Sequence, residues 1–431
     1  MATVPTDNPW AILLCKWNDD LSEPFPRYYY ENLFCTPGVG LNNMIDFFRL
    51  YSHGNLDLSG SQVFGWFVLP HARSEYSGSG ANSAGRQQLI DWGKAAATAA
   101  GVDLTKFFGV VVSMNISTDL FGFIGYPAVA CDNGSMEPSW LGQEMLHGYG
   151  LNHARLNGNL ADYQDPFDIM SVDVWPTFLA PDPNFGHIGP GLNAALMDTK
   201  GWLDPERVWA YSGGGGTVQL RPHHRRDLPG FLVAKVGPYY AEFRMNEGYD
   251  AQIQNFGGVP GPAVLIHRFD PDGHSYLMQS TAGTTSLITG GAFEGPVGAS
   301  PIRLAVNVTG IDPTNRLATL SVSTKGLLQI VVTPSPTPLG TPITLKIDAF
   351  DQSTGQALTG GTVKLSFADD SHSPQSITFQ TGVSQPITLN TWPQAHVDAK
   401  GHITVTTQYP SGTVSVPGFA VAGIPFTFKG S

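Results

Sequence analysis

The stretch Gln143-Glu-Met-Leu-His147-Gly-Tyr-Gly150-Leu-Asn-His153 restricts this chain more than any other segment. Positions four apart on a helix share a face about one turn apart, so Gln143 and His147 can grip one ion. Glu144 sits beside the first of them and is placed to reach a water rather than the ion. Gly150 lets the backbone leave the helix, including through φ > 0. The chain can then swing His153 back as a third ligand. Three protein ligands leave a fourth position open, as catalytic zinc sites require. The spacing therefore predicts a helix, a glycine break and a return loop.

Gln143 is the unusual member of this set. Its amide oxygen is neutral and hard, whereas imidazole is the better zinc ligand. Several readings stay open at this position. Gln143 ligates through oxygen and gives a weaker but working site. Alternatively the site has lost its metal, and the fold serves only to bind. Otherwise another histidine fills in, or the glutamine is an introduced residue. His187, in Asn184-Phe-Gly-His187-Ile-Gly, is the best substitute, although its simpler reading is a hydrogen-bonded loop histidine.

Around the motif the first part of the chain alternates strands and helices. Ala11–Lys16 is a strand, Asn42–Tyr51 has helical spacing, and Ser61–Leu69 is a strand. Gly85–Ala100 is a helix stopped by Gly101. Phe107–Met114 is a continuous apolar run and so a central strand. Gly122–Cys131 is a less regular edge segment, and the motif helix begins near Ser139. This order is α/β in character. After Trp202 the pattern turns to short alternating runs between Gly and Pro clusters, which predicts β-sandwiches. The Pro/Thr-rich stretch Thr333–Thr341 falls between two such regions. The reading is multidomain: an α/β domain over 1–206, a β-sandwich over 207–326 and an immunoglobulin-like sandwich over 327–431.

Composition excludes some functions. The chain of 431 residues carries a formal net charge of −12, whereas nucleic-acid binding needs a basic surface that replaces counterions. The one dense basic run, His223-His224-Arg225-Arg226, reads as a solvated loop. No apolar run reaches the ~18 residues of a transmembrane helix. A basic n-region followed by an apolar stretch is not visible, so a signal peptide is absent or already removed. Cys15, Cys35 and Cys131 are odd in number and show no CxxC zinc spacing, so one disulfide stays open. Asp270-Pro-Asp272-Gly273 resembles the start of a calcium loop but lacks its distal Glu, so it reads as a turn. Asp348, Asp351 and Asp369-Asp370 read as turn residues, with calcium the alternative. Asn115, Asn133 and Asn307 begin glycosylation sequons of little weight.

The motif resembles the metzincin signature H-E-x-x-H-x-x-G-x-x-H at every fixed position except the first. Downstream, Asp165-Pro-Phe-Asp168-Ile-Met170-Ser171 is similar to the Met-turn that runs beneath the metal in that clan. QEMLHGYGLNHA resembles the gametolysin-like family, some of whose members carry Q-E-x-x-H and have been associated with copper. FFRLYSHGNLDLSGSQVFGW (47–66), DYQDPFDIMS (162–171) and LMDTKGWL (196–203) resemble the immune inhibitor A-like family. That family has Asp where His153 stands, so the chain combines two patterns. The resemblance covers roughly residues 8–210 and, more weakly, YAEFRMNEGYD (240–250); the last domain lies outside it.

The resemblance implies a secreted or extracellular metalloendopeptidase. Gln143, His147 and His153 would be ligands to zinc, or alternatively copper. Glu144 would be the general base and Met170 the support beneath. Val172, Asp173 and Trp175 follow the Met-turn, so no tyrosine is assigned to the oxyanion; Tyr149 and Tyr163 read as packing or rim. The substrate would be a protein or peptide, and the C-terminal sandwich would contact a cell surface or a glycan. The rival reading is a catalytically weak or inactive fold that binds peptides or surface glycans.

Overall fold

The structure is a computed structural model. It describes residues 6–38, 40–78, 83–212, 216–254, 258–259, 261–280, 282–297 and 300–325, and beyond them the backbone of the strands that fall between Leu327 and Thr427. The chain divides into two units: residues 1–210, 218–293 and 308–320, and residues 211–217, 294–307 and 321–431.

The first unit begins with β1 (Thr6–Asp7), β2 (Trp10–Lys16), α1 (Arg27–Phe34), α2 (Met44–Tyr51), β3 (Leu56–Asp57), β4 (Gln62–Val68) and α3 (Ser83–Ala99). Then come β5 (Gly109–Met114), β6 (Phe121–Phe123), β7 (Tyr126–Asp132) and α4 (Pro138–Gly148). β4, β2, β5 and β7 lie parallel in that order, and β6 closes the edge antiparallel to β7. The expected edge segment 122–131 is thus two strands turned at Gly125, whose φ of +75° suits glycine.

Side chains alternate along each strand, so the sheet is covered on both faces. Trp10, Ile12 and Leu14 of β2 pack with α1, α2 and α4. Ala11, Leu13 and Cys15 point the other way, into a cluster with Leu89 and Ile90 of α3. Local signals set the helix starts. Asn43 caps α2 by accepting from the Asp46 amide at 3.0 Å. Pro138 occupies the first turn of α4, where a missing N–H costs nothing.

After α4 the chain forms β8 (Arg155–Leu156), a 3₁₀ turn (Ile169–Val174), β9 (Ala180–Asp182), β10 (Gly186–Ile188) and α5 (Ala194–Thr199). β11 (Val208–Ala210), β12 (Gly216–Leu220), β13 (Val233–Val236), β14 (Tyr239–Arg244), β15 (Ala263–Phe269) and β16 (Ser275–Leu277) follow. A six-stranded sheet runs β11-β13-β14-β15-β16-β8. Its last strand comes from the segment that directly follows the sequence motif. Residues on both sides of position 206 therefore share one sheet and one compact unit.

β17 (Ala292–Val297), β18 (Ser300–Asp312) and β19 (Leu317–Lys325) come next. Beyond them are β20 (Leu327–Thr333), β21 (Pro342–Ala349), β22 (Gly361–Phe367), β23 (Gln375–Phe379), β24 (Ser384–Thr388), β25 (His402–Gln408), β26 (Ala420–Val421) and β27 (Ile424–Thr427). They make two four-stranded sheets, β24-β21-β20-β26 and β23-β22-β25-β27. Asp351, Asp369 and Asp370, weighed above as calcium ligands, lie outside the described residues, as does the side chain of Asp348.

Three sequence readings change. The basic run is not a solvated loop, because His223 is fully buried and His224 is 8% exposed. His224 faces Glu247 at 3.2 Å, and Arg225 bonds both Glu247 and Asp227. Asn115 is buried and its amide donates to Asp20 and Ser22, so it presents no exposed glycosylation acceptor. The three cysteines are free thiols, and burial pushes Cys15 up to about 12.

Candidate metal centre

α4 is buried almost throughout, from Pro138 to Gly148. Its close fit depends on small residues at its contacts. A Cβ on Gly142 would stand 2.6 Å from Ile169 Cδ1, so the 3₁₀ turn packs directly on the helix. A Cβ on Gly122 of β6 would stand 2.2 Å from the Glu144 carbonyl oxygen. The helix ends at Tyr149, and Gly150 takes φ +81°. The break predicted from sequence is where the structure has it.

Gln143 is 3% exposed. Its Nε2 donates to Glu144 Oε1 at 3.1 Å, while its Oε1 is buried with no hydrogen-bond partner. Exchanging the amide's oxygen and nitrogen would set oxygen against an ionised carboxylate, so this orientation belongs to the deprotonated form of Glu144. A buried carbonyl oxygen left without a donor costs about 1–3 kcal/mol. A cation at that oxygen would remove the cost.

Both histidines are held at Nδ1. His147 Nδ1 lies 2.7 Å from the Leu151 carbonyl oxygen, and since a carbonyl only accepts, His147 carries its proton there. His153 Nδ1 lies 3.2 Å from Asp162 Oδ2. The second nitrogen of each ring is left as an acceptor, the tautomer that metal ligands adopt. The two rings are 4.8 Å apart between centroids, and Tyr163 stacks on His153 at 3.9 Å. Burial, with the neighbouring His153, pushes His147 down to about 4. Burial also lowers His153, with Asp162 opposing. Both rings are therefore neutral near neutral pH.

Glu144 is 7% exposed, and its Oε2 accepts from the Gly122 amide at 2.5 Å. Burial pushes its carboxyl up to about 7, against the pull of that N–H and of Gln143. A carboxyl balanced near neutrality suits proton transfer in either direction. Met170 is fully buried in the 3₁₀ turn, and its carbonyl accepts from the Ala154 amide at 3.3 Å. Ser171 Oγ bonds Ala154 again, through the carbonyl at 3.2 Å. The 165–171 segment is thereby tied to the residue after His153.

The other candidates have partners of their own. His187 is half-exposed, with Nδ1 held by Glu137 at 2.9 Å. Tyr149 takes a bond from Trp10 and stacks on Phe108, so it is packing. Asp270 and Asp272 bond to Arg268 and Tyr276. Among the described residues no group of three His, Cys, Asp or Glu side chains could hold a metal ion. The arrangement at α4 has two such side chains and an amide.

Sequence reasoning missed Asp162 as the partner of His153 and Gly122 as the donor to Glu144. Asp162 carried a weak signal, a carboxylate nine positions past a candidate ligand. Gly122 carried none, because it depends on how β6 meets α4. No protein-family model, curated protein or solved structure matches this chain.

Proposed function

We propose that this chain is a metal-dependent endopeptidase of secreted or extracellular setting. The observations that carry the reading are the orphaned, buried oxygen of Gln143, one helical turn from His147, and the rings of His147 and His153 lying 4.8 Å apart, each fixed at Nδ1. Gln143 Oε1 and the free nitrogens of His147 and His153 would hold zinc, or alternatively copper. A cation so held supplies Lewis acidity, which lowers the pKa of water toward ~7 and polarises a carbonyl. Calcium has no comparable support.

The chain's own groups account for the rest. Glu144 takes a proton from the attacking water and delivers it to the leaving amine. The Gly122 N–H and Gln143 Nε2 hold the carboxylate in place for both transfers. Among the described residues β6 is an edge strand, paired with β7, and its Gly122 N–H reaches Glu144. An extended peptide laid along that edge would pass the carboxylate, which favours a protein or peptide substrate. Met170 supports the site from the 165–171 turn.

In this reading the α/β region over 1–206 is of the metzincin type and shares its compact unit with the strands that follow it. The β-rich regions 207–326 and 327–431 are accessory, the last a candidate for surface or glycan contact. The net charge of −12 argues against nucleic acid, and among the described residues no helix is long and apolar enough to cross a membrane.

The test is metal content of the purified chain together with casein cleavage, with and without chelator. Bound zinc or copper, chelator-sensitive cleavage and an inert Glu144→Ala variant are expected. A metal-free, inert wild type overturns the enzyme in favour of a peptide-binding fold.

A further inference from the structure

The β15–β16 hairpin brings four groups to the loop that carries His153, from about 120 positions away in sequence. His274 Nδ1 donates to the His153 carbonyl oxygen at 2.9 Å. Asn152 Nδ2 donates to the Gly273 carbonyl at 3.1 Å. Gly273 has φ +87°, and a Cβ there would stand 3.0 Å from Asn152 Nδ2, so the tip and the loop are closely fitted. Arg155 joins the two sides. Its Nε donates to Asp162 at 2.8 Å, and its NH1 reaches Asp272 at 3.3 Å and Tyr276 Oη at 3.4 Å. Tyr276 in turn donates to Asp272 at 2.6 Å. Beneath these contacts β16 pairs with β8, Tyr276 opposite Arg155 and Leu277 opposite Leu156, and the Asn157 amide donates to Leu277.

A loop of this kind after a helix break has no helical hydrogen bonds to hold it. The His153 ring is stacked by Tyr163 and, among the described residues, hydrogen-bonded by Asp162, which is itself steadied by Arg155. The His153 carbonyl and the Asn152 side chain before it are held by the hairpin tip. From this geometry we infer that the tip, residues 270–274, is a clamp that sets the position of His153 as the third ligand. Asp272 and His274 are its positioning residues: Asp272 acts through Arg155 and Asp162, His274 through the His153 carbonyl. The inference deepens the metal-site reading and rests on it. It gives a role to Asp270-Pro-Asp272-Gly273, which a calcium loop does not.

The test uses the full chain and zinc alone as probe. Zinc affinity is measured by competition with a chelating dye, and hydrogen–deuterium exchange of residues 151–158 is followed in metal-free protein. Asp272 is 41% exposed in its side chain, so Asp272→Ala opens no core. Outer partners of metal ligands are worth about 10–100-fold in affinity. Asp272→Ala and His274→Ala should therefore weaken zinc about tenfold or more and speed exchange of 151–158. His274→Gln, which keeps a donor for the carbonyl, should recover most of both. If the wild type binds zinc and the alanine variants bind it equally well, the clamp is overturned while the metal reading stands. If the wild type takes no zinc but exchange still answers to His274, the metal reading fails and the clamp on His153 holds. No zinc and no change in exchange overturns both.

Discussion

At Gln143 the choice of ligand can be separated from the choice of base, because each acts through a different atom. The side chain gives its Nε2 to Glu144 and keeps its Oε1 unpartnered. Gln143→His replaces an amide oxygen by a stronger donor for zinc. Zinc affinity should rise about tenfold or more, a gain of ~1.4 kcal/mol, read by dye competition. Glu144→Gln keeps the shape and the bond from Gly122 but cannot accept the proton. Cleavage should fall about 10²–10⁴-fold, with metal content unchanged in the same preparation. Loss of the metal together with activity would instead make Glu144 a structural neighbour. These residues were legible in the sequence because helical spacing alone brings 143 and 147 to one face. Their partners were not. The Leu151 carbonyl, Asp162 and the Gly122 amide meet the ring nitrogens and the carboxylate only after backbone turns that spacing does not encode.

At the level of elements, the strand and helix order of residues 10–148 followed from apolar periodicity. The exceptions show what periodicity cannot see. Residues 122–131 read as one irregular strand because a turn at Gly125 reverses the chain without a strong turn dipeptide. α1, RYYYENLF, buries Tyr30, Leu33 and Phe34 at helical spacing, but the exposed Tyr28 and the half-buried Tyr29 beside them blur the stripe. The meeting of β6 with α4 is the contact on which the site most depends. Gly122→Ala would force a methyl to 2.2 Å from the Glu144 carbonyl oxygen, a backbone atom that cannot rotate away. Overpacking of this kind costs about 1–3 kcal/mol. The urea midpoint should drop accordingly, and activity should fall further than stability, because the same shift removes the N–H from Glu144. A variant as stable and active as wild type would mean that the edge strand is not held against the helix.

At the scale of the first unit, a buried cluster of charges ties the six-stranded sheet to the 165–171 turn. No local pattern signals it, since its members are spread from Asp165 to His267. Arg244, fully buried, bonds both oxygens of Asp250 at 2.9 and 3.0 Å, and Glu242 Oε1 at 3.1 Å from its Nε. His267 Nε2 meets Asp165 Oδ2 at 2.9 Å, and its Nδ1 lies 3.3 Å from Glu242 Oε1. Asp165 also accepts from the Phe167 amide, and Asp168 from those of Met170 and Asn193. Two carboxylates hold His267 as an imidazolium, up to about 10, against the burial that would lower it. Its folded value is above its unfolded ~6.5. The stabilisation is therefore fully present below about pH 6.5 and is lost as pH rises toward 10. At and below neutrality other groups compete: His147 and His53 are pushed down to about 4, and Asp168 and Glu144 up to about 7. Above about pH 8.5 cysteines and tyrosines begin to contribute. Groups balanced near pH 7 have largely lost their protons by about pH 8, so the window that isolates His267 is about pH 8 to 8.5, where folding should weaken by ~1.4 kcal/mol per pH unit. Urea midpoints of the full chain at several pH values in that window read the slope directly. His267→Gln should flatten it and should lower stability by about 3–5 kcal/mol, since it leaves Asp165 buried without its cation and Glu242 with Arg244 alone. A wild-type slope that survives the substitution would assign the pH dependence to other groups and leave His267 neutral in the folded chain.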